Sequence, residues 1–146
     1  MSYFTYDTAV IIARGPVDFY KTKGLMLSSV VLLELMASAP DDSLRKDYEG
    51  LFLDFGRDNK LIVPNHVDWL FASKILYWLS RRRRRADGGR LRPLGPGMSQ
   101  RMALDALIAT SARRWDATVV TDNWDHFKAI QYFCGVKLIK ASDFFR

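Results

Sequence analysis

The sequence has a single cysteine, Cys134, in 146 residues. One thiol cannot close an internal disulfide, which excludes a small fold held by disulfide bridges and makes a reducing cytoplasm the expected compartment. There are two histidines, His66 and His126, and their separation of sixty residues gives no metal-ligand spacing. No apolar run reaches the roughly 18–20 residues that cross a bilayer. The longest, residues 25–37, is interrupted by Ser28, Ser29 and Glu34. The start, "MSYFTYDT", has no basic segment followed by an apolar one, so no secretory signal is expected. "RPLGPG" lacks a Gly-Lys-Ser/Thr ending and reads as a turn-rich loop, not a phosphate loop. No internal repeat and no domain boundary is visible, and the length suits one domain over residues 1–146 with a sizeable core.

What is present is unevenly placed. The net charge is +6, and residues 81–92, "RRRRRADGGRLR", carry all of it with seven Arg and one Asp. The other fifteen basic and fifteen acidic residues cancel. The chain is therefore a near-neutral domain bearing one basic segment, about 81–97, and not a uniformly basic protein.

Short apolar strands alternate with helical patterns. Strands are expected at 2–6, 25–28, 60–64, 117–121 and 136–140. Helices are expected at 8–13, 29–39, 42–56, 65–82, 99–114 and 124–132. Ser28 or Ser29, one of Asp41, Asp42 and Ser43, and Asn65 are the caps, and Gly15-Pro16 and Pro40 are the stops. This order predicts an α/β fold with a central parallel sheet covered by helices on both faces.

Most acids sit where helix faces or caps explain them. Five are harder to dismiss. Asp7 ends the first strand, at the edge where parallel sheets hold ligands. Glu34 lies in "VVLLELM" with apolar neighbours and no Lys or Arg three or four residues away. Burying it alone is costly. Asp105 sits in the apolar helix "RMALDALIAT", with Arg101 at i−4 as a possible exposed ion-pair partner. Asp122 and Asp125 follow strand 117–121, where each can also serve the start of the next helix. The conjunction carries the reading. Carboxylates brought to one place repel and are held protonated unless a cation neutralises them. Mg²⁺ or Mn²⁺ suits such an all-oxygen set, and phosphodiester hydrolysis suits such a site.

Four blocks in order add a family likeness. "TYDTAVI" (5–11) resembles the opening block of PIN-domain nucleases, and "SSVVLLEL" (28–35) resembles their second block with its Glu. "DALIATSARRWDATVVTDNWDHF" (105–127) resembles their third and fourth blocks, and "GVKLIKASDF" (135–144) their last strand. The blocks cover essentially the whole chain, whose size is similar to VapC-type toxins of toxin–antitoxin pairs. The resemblance implies a PIN-like α/β/α sandwich and a Mg²⁺- or Mn²⁺-dependent ribonuclease. It also implies a homodimer and a cognate antitoxin that covers the site. By position, Asp7, Glu34 and Asp105 match the three core acids. In "TDNWDHF", His126 stands where an acid often precedes the Phe. Asp122, nearest the strand end, is the favoured fourth acid and Asp125 the second choice, so the expected metal set is Asp7, Asp105, Asp122 and Asp125. Thr121 and Asn123 match supporting polar positions.

Two other functions compete. A PIN-like module that binds RNA or a protein partner with weak or no turnover is favoured by the altered last block. A phosphoacceptor receiver domain needs an acidic pair at the first strand end and a mid-chain Asp ending a strand. Here the first strand offers Asp7 alone and strand 60–64 ends in Pro-Asn.

Arg81, Arg82, Arg83, Arg84 and Arg85 read as an electrostatic funnel for RNA phosphates, with Tyr77 and Trp78 near in sequence for stacking. An acidic partner segment and a solvated helix end are the competing readings. Replacing all five by Gln and Ser should flatten the salt dependence of RNA binding, by about 0.7 in log–log slope for each arginine that meets a phosphate. Anisotropy titrations across a salt series measure this, and an unchanged affinity and slope removes the funnel.

Overall fold

The computed structural model describes residues 2–15, 18–86 and 98–146, with side chains left aside at 82–86 and 98–99. Among these residues five strands form in order: β1 Tyr3–Tyr6, β2 Leu27–Ser28, β3 Leu61–Ile62, β4 Ala117–Thr121 and β5 Leu138–Lys140. Between and after them come α1 Thr8–Arg14, α2 Ser29–Ala37, α3 Asp42–Arg57, α4 His66–Ala86, α5 Met98–Arg114, α6 Trp124–Cys134 and α7 Ala141–Phe144, with a 3-10 turn at Phe19–Lys21.

All strand pairings are parallel. β4 lies between β1 and β5, and β2 pairs with β3. A bridge from Phe4 to Leu25 joins the two sets. Phe4 N donates to Gly24 O at 3.1 Å and Met26 N donates to Phe4 O at 2.9 Å. The spatial order is thus β3-β2-β1-β4-β5, and every strand ends at the same edge. Gly24 makes the β1–β2 approach possible. Its φ is +83°, and a Cβ there would lie 2.6 Å from Ser2 O.

Alternation along β1 sends Phe4 and Tyr6 to one face and Thr5 and Asp7 to the other. Phe4 and Tyr6 pack against Phe144, at 4.8 and 5.9 Å between ring centroids, and Tyr6 also meets Phe19 and Phe145. The opposite face meets α5. Its Ala106, Leu107, Ile108, Ala109 and Ala112 are all buried, so this helix is enclosed on most sides, as a central packing element should be.

The expected helix–strand order is observed, with local differences. β3 is two residues long because Pro64 has no N–H to extend a ladder. β2 is short because Ser28 already caps α2, its hydroxyl accepting from Val31 N. α4 continues to Ala86, past the expected end near residue 82, since arginine is a good helix former. The side chains of Arg82–Arg85 and all of residues 87–97 lie outside the described residues. Cys134 is buried, as its apolar setting predicts.

A capping box starts α4. Asp68 N donates to Asn65 Oδ1 at 2.9 Å and Asn65 N donates to Asp68 Oδ2 at 3.0 Å. The same Asp68, 4% exposed, accepts from Arg114 Nε at 3.0 Å. Arg114 also donates to Val63 O at 2.7 Å. One buried carboxylate therefore ties the start of α4 to the end of α5, 46 residues apart. Removing one partner of a buried pair strands the other's charge. Arg114→Met should cost about 2 kcal/mol, less than a fully enclosed pair because the guanidinium is partly solvated. Urea denaturation measures it, and a loss below about 0.5 kcal/mol would show that the clamp adds nothing.

Candidate active site

The carboxyl edge of the sheet gathers three of the five singled-out acids. Asp7 follows β1 and is 4% exposed. It is the N-cap of α1, with Oδ1 accepting from Val10 N at 3.1 Å. Its Oδ2 accepts a short hydrogen bond from Thr121 Oγ1, at the end of neighbouring β4. Thr121 Oγ1 in turn accepts from Asn123 N at 2.8 Å. Glu34 comes from α2 and Asp105 from α5. Asp7, Glu34 and Asp105 line one cavity of about 290 Å³, together with Thr8, Asn123 and Arg101.

Electrostatics mark the cavity as short of positive charge. Burial raises the Asp7 carboxyl above its ordinary range, the Thr121 and Val10 hydrogen bonds oppose this, and Asp122 adds to it. Glu34 is raised chiefly by burial, with the Thr8 hydroxyl working the other way and Asp105 and Asp7 adding repulsion. Its Oε1 is buried with no hydrogen-bond partner among the described residues. Asp105 is raised by burial, is partly relieved by His126, and is repelled by Asp7. Three acids that disfavour their own ionisation and share one cavity are a setting for a cation. As placed, however, no three His, Cys, Asp or Glu side chains among the described residues form a group able to hold a metal ion. The donor chemistry fits a hard divalent ion, but the side chains have to move to close on one.

Asp105 does not pair with Arg101. Its Oδ2 lies 3.3 Å from His126 Nδ1, and Asn123 Nδ2 donates to it at 3.3 Å. Asn123 Nδ2 is also 2.9 Å from His126 Nδ1. Asn123 is the residue before α6 but makes no side-chain cap, so its amide serves Asp105 instead. His66 is exposed at the start of α4.

The other two acids stand apart. Asp122 is exposed and lines a second cavity with Val10, Arg14, Ser142 and Phe145. Asp125 is exposed in the first turn of α6. Of the arginine run, Arg81 is exposed with its guanidinium 4.8 Å from the Tyr77 ring centroid. Trp78 is stacked on Phe133 at 5.4 Å, so one of its faces is already covered.

The sequence does not single out Thr8, marks His126 only as standing where an acid often precedes the Phe, and offers Arg101 as an exposed ion-pair partner for Asp105, a pair that is not formed. The contact of His126 with Asp105 has no local signal, because it spans 21 residues and two elements.

This sheet order, with helices on both faces and an acidic carboxyl edge, is a PIN-like α/β/α fold. No family model and no curated protein matches the sequence. Solved structures do. A chain in the structure of FitAB bound to an IR36 DNA fragment is similar with a TM-score of 0.58, 16% identity and 94% of both chains covered. A chain of VapBC-1 from nontypeable Haemophilus influenzae gives 0.55 and 19%, over 96% of this chain and 98% of that one. A chain of DNA-bound VapBC from Salmonella typhimurium gives 0.51 and 19%, with the same coverage. At such identities the likeness shows the fold, and the chemistry has to come from this chain's own residues.

The raised carboxyls make the metal-free protein sensitive to pH. A carboxyl with a higher folded than unfolded pKa binds protons more readily when folded. Its contribution is full below the unfolded value of about 4 and is lost as pH rises through the folded value. Metal-free protein should therefore melt at a higher temperature in mildly acidic buffer than at a pH above the raised folded values. Glu34→Gln, which removes one such acid, should raise the neutral-pH melting temperature by a few degrees and shrink the pH effect. Thermal melts in chelator test both, and a variant less stable than the parent at neutral pH would refute the repulsion.

Proposed function

We propose that the Asp7–Glu34–Asp105 cavity is the active centre of a divalent-metal-dependent endoribonuclease, and that the chain is the toxin of a toxin–antitoxin pair. The observation that carries this reading is the convergence of three ionisation-disfavoured carboxylates at the carboxyl edge of a PIN-like sheet. Asp7, Glu34 and Asp105 are the residues that would hold Mg²⁺ or Mn²⁺, and Asp122 is the fourth acid nearest to Asp7 in its electrostatic effect. When bound, the cation supplies charge neutralisation at the phosphate and a more acidic water.

The rest is done by side chains. Thr121 and Val10 N hold Asp7 in one orientation, and His126 and Asn123 hold Asp105. These hydrogen bonds limit how each carboxylate can turn, so closing on a cation is a short adjustment of partly held groups. Arg101 lines the same cavity and makes no ion pair among the described residues. Its donors are available for an incoming phosphodiester, which a guanidinium meets in two-point fashion. The arginine run is the longer-range attraction for RNA.

The partner reading has support of its own. Val67, Leu70, Phe71, Lys74 and Trp78 line a mostly apolar groove along α4, and Val67 and Leu70 are more than half exposed. Such a surface suits a protein partner, either an antitoxin or a second copy. A second reading, an RNA- or partner-binding module without turnover, is favoured by the absence of a ready three-ligand metal group among the described residues.

Cleavage decides between them. Structured RNA should be cut with Mn²⁺ or Mg²⁺ and left intact in chelator, and Asp7→Asn or Asp105→Asn should lower the rate by about a hundredfold or more. Cutting that survives both substitutions refutes this active centre. Binding without cutting in the parent protein supports the module. Asp105→Asn should also stabilise the metal-free protein while removing stabilisation by added Mn²⁺.

A further inference from the structure

A cavity of about 320 Å³ is at the other end of the sheet. It lies by the amino ends of β1, β2 and β3 and the turn from α5 into β4, away from the acids. Its walls include Tyr3, Lys23, Asp58, Asn59, Lys60 and Trp115. We propose that this cavity binds a nucleotide, with the base against Trp115 and Tyr3 and the phosphate on Lys23 and Lys60.

Three features point to that ligand. The volume is at the lower end of the roughly 300–1,000 Å³ typical of small-molecule sites. Tyr3 and Trp115 are each 39% exposed and make no ring contact with each other, so their rings are accessible to a planar group. Lys23 and Lys60 are exposed and take part in no ion pair among the described residues, although Asp58 lies in the same wall. Aromatic rings beside unpaired ammonium groups match a base joined to a phosphate.

The site is also held in shape. Arg114, fixed by buried Asp68 and by Val63 O, lies 5.8 Å from the Trp115 ring centroid. The indole is therefore braced by a cation whose hydrogen bonds are already committed elsewhere. Leu27 N donates to Lys60 O and Lys60 N donates to Phe55 O, at 2.9 and 2.8 Å. Asn59, which lines the cavity, adopts φ +56° as the chain leaves α3. A base edge finds an acceptor in Asp58 and an amide in Asn59. None of this depends on what the carboxylate cavity does.

The same chemistry can arrive as a free mononucleotide or as a residue of an RNA strand. Calorimetric titration of the full chain in chelator separates them, using AMP, GMP, CMP and UMP and a 5′-phosphorylated oligoadenylate hexamer. Saturable binding of a mononucleotide is expected, with adenosine and ribose 5-phosphate each about tenfold weaker than AMP. Binding by the hexamer alone, weakened by the lysine substitutions described next, assigns the site to RNA and equally supports the proposal. Trp115→Leu and the double variant Lys23→Gln/Lys60→Gln should each weaken binding about tenfold, with melting curves as fold controls. The lysines are surface residues, so the double variant remains informative if Trp115→Leu fails to fold. No heat from any probe up to about 10 mM, or unchanged affinity in the lysine variant, overturns the proposal.

Discussion

The hydrogen bond from Thr121 to Asp7 is the contact on which the rest of the site depends. It joins the ends of two adjacent parallel strands, 114 residues apart in sequence. It forms because Thr5 pairs with Val119 and Tyr6 with Val120, so the next residues out meet side by side. Asp7 N continues the ladder by donating to Val120 O at 3.1 Å. One carboxylate thus caps α1, closes the β1–β4 ladder and faces the cavity. Its burial is tolerated because both oxygens have donors. The burial still wins over those donors, and the proton is held more tightly than in water. A similar contest recurs at Asp105, where His126 and Asn123 both meet one oxygen, and at Glu34, whose Oε1 has no partner among the described residues.

Much of the fold was legible because its signals are local. The apolar runs "ATVVT" and "SVVLLELMA" are β4 and α2 almost residue for residue. Asp41 caps α3 and Asn65 precedes α4, as short polar residues before apolar helices should. The residues that complete the site were not legible in that way. Thr121, His126 and Arg101 acquire their positions from strand register and from packing of α5 against α6, which no window of the sequence displays. The acids sort by the same logic. Asp7, Glu34 and Asp105 lie at positions where an apolar element turns its face inward. Asp122 and Asp125 lie where a helix begins in solvent, and a start of that kind accepts an acid for its own reasons.

The two ends of the sheet differ in charge for a topological reason. In a parallel arrangement each connecting helix begins near the carboxyl edge and ends near the amino edge. Helix starts offer N–H groups, which favour acids, and helix ends offer C=O groups, which favour bases. Asp7 uses the first opportunity directly, as the cap of α1. Lys60 follows α3 and Trp115 follows α5, so the amino edge collects residues that leave helix ends. An acidic cavity at one edge and a lysine- and aromatic-lined cavity at the other are consistent with that polarity.

Arg101 shows how fine the balance is at the acidic edge. A guanidinium one turn from Asp105 could relieve the cavity's repulsion by pairing with it. The order is unfavourable, since in a helix an acid placed before its base interacts better than the reverse. Side chains also lean toward the helix start, which carries Arg101 away from Asp105 and toward the cavity rim. His126 and Asn123, from the next element, take Asp105 instead. The cavity consequently keeps carboxyls that are only partly relieved inside, and at its wall an arginine that makes no ion pair among the described residues. A phosphodiester accompanied by a divalent ion would satisfy both halves at once, the ion meeting the acids and the phosphate meeting the arginine. A ligand of one charge sign would satisfy only one of them.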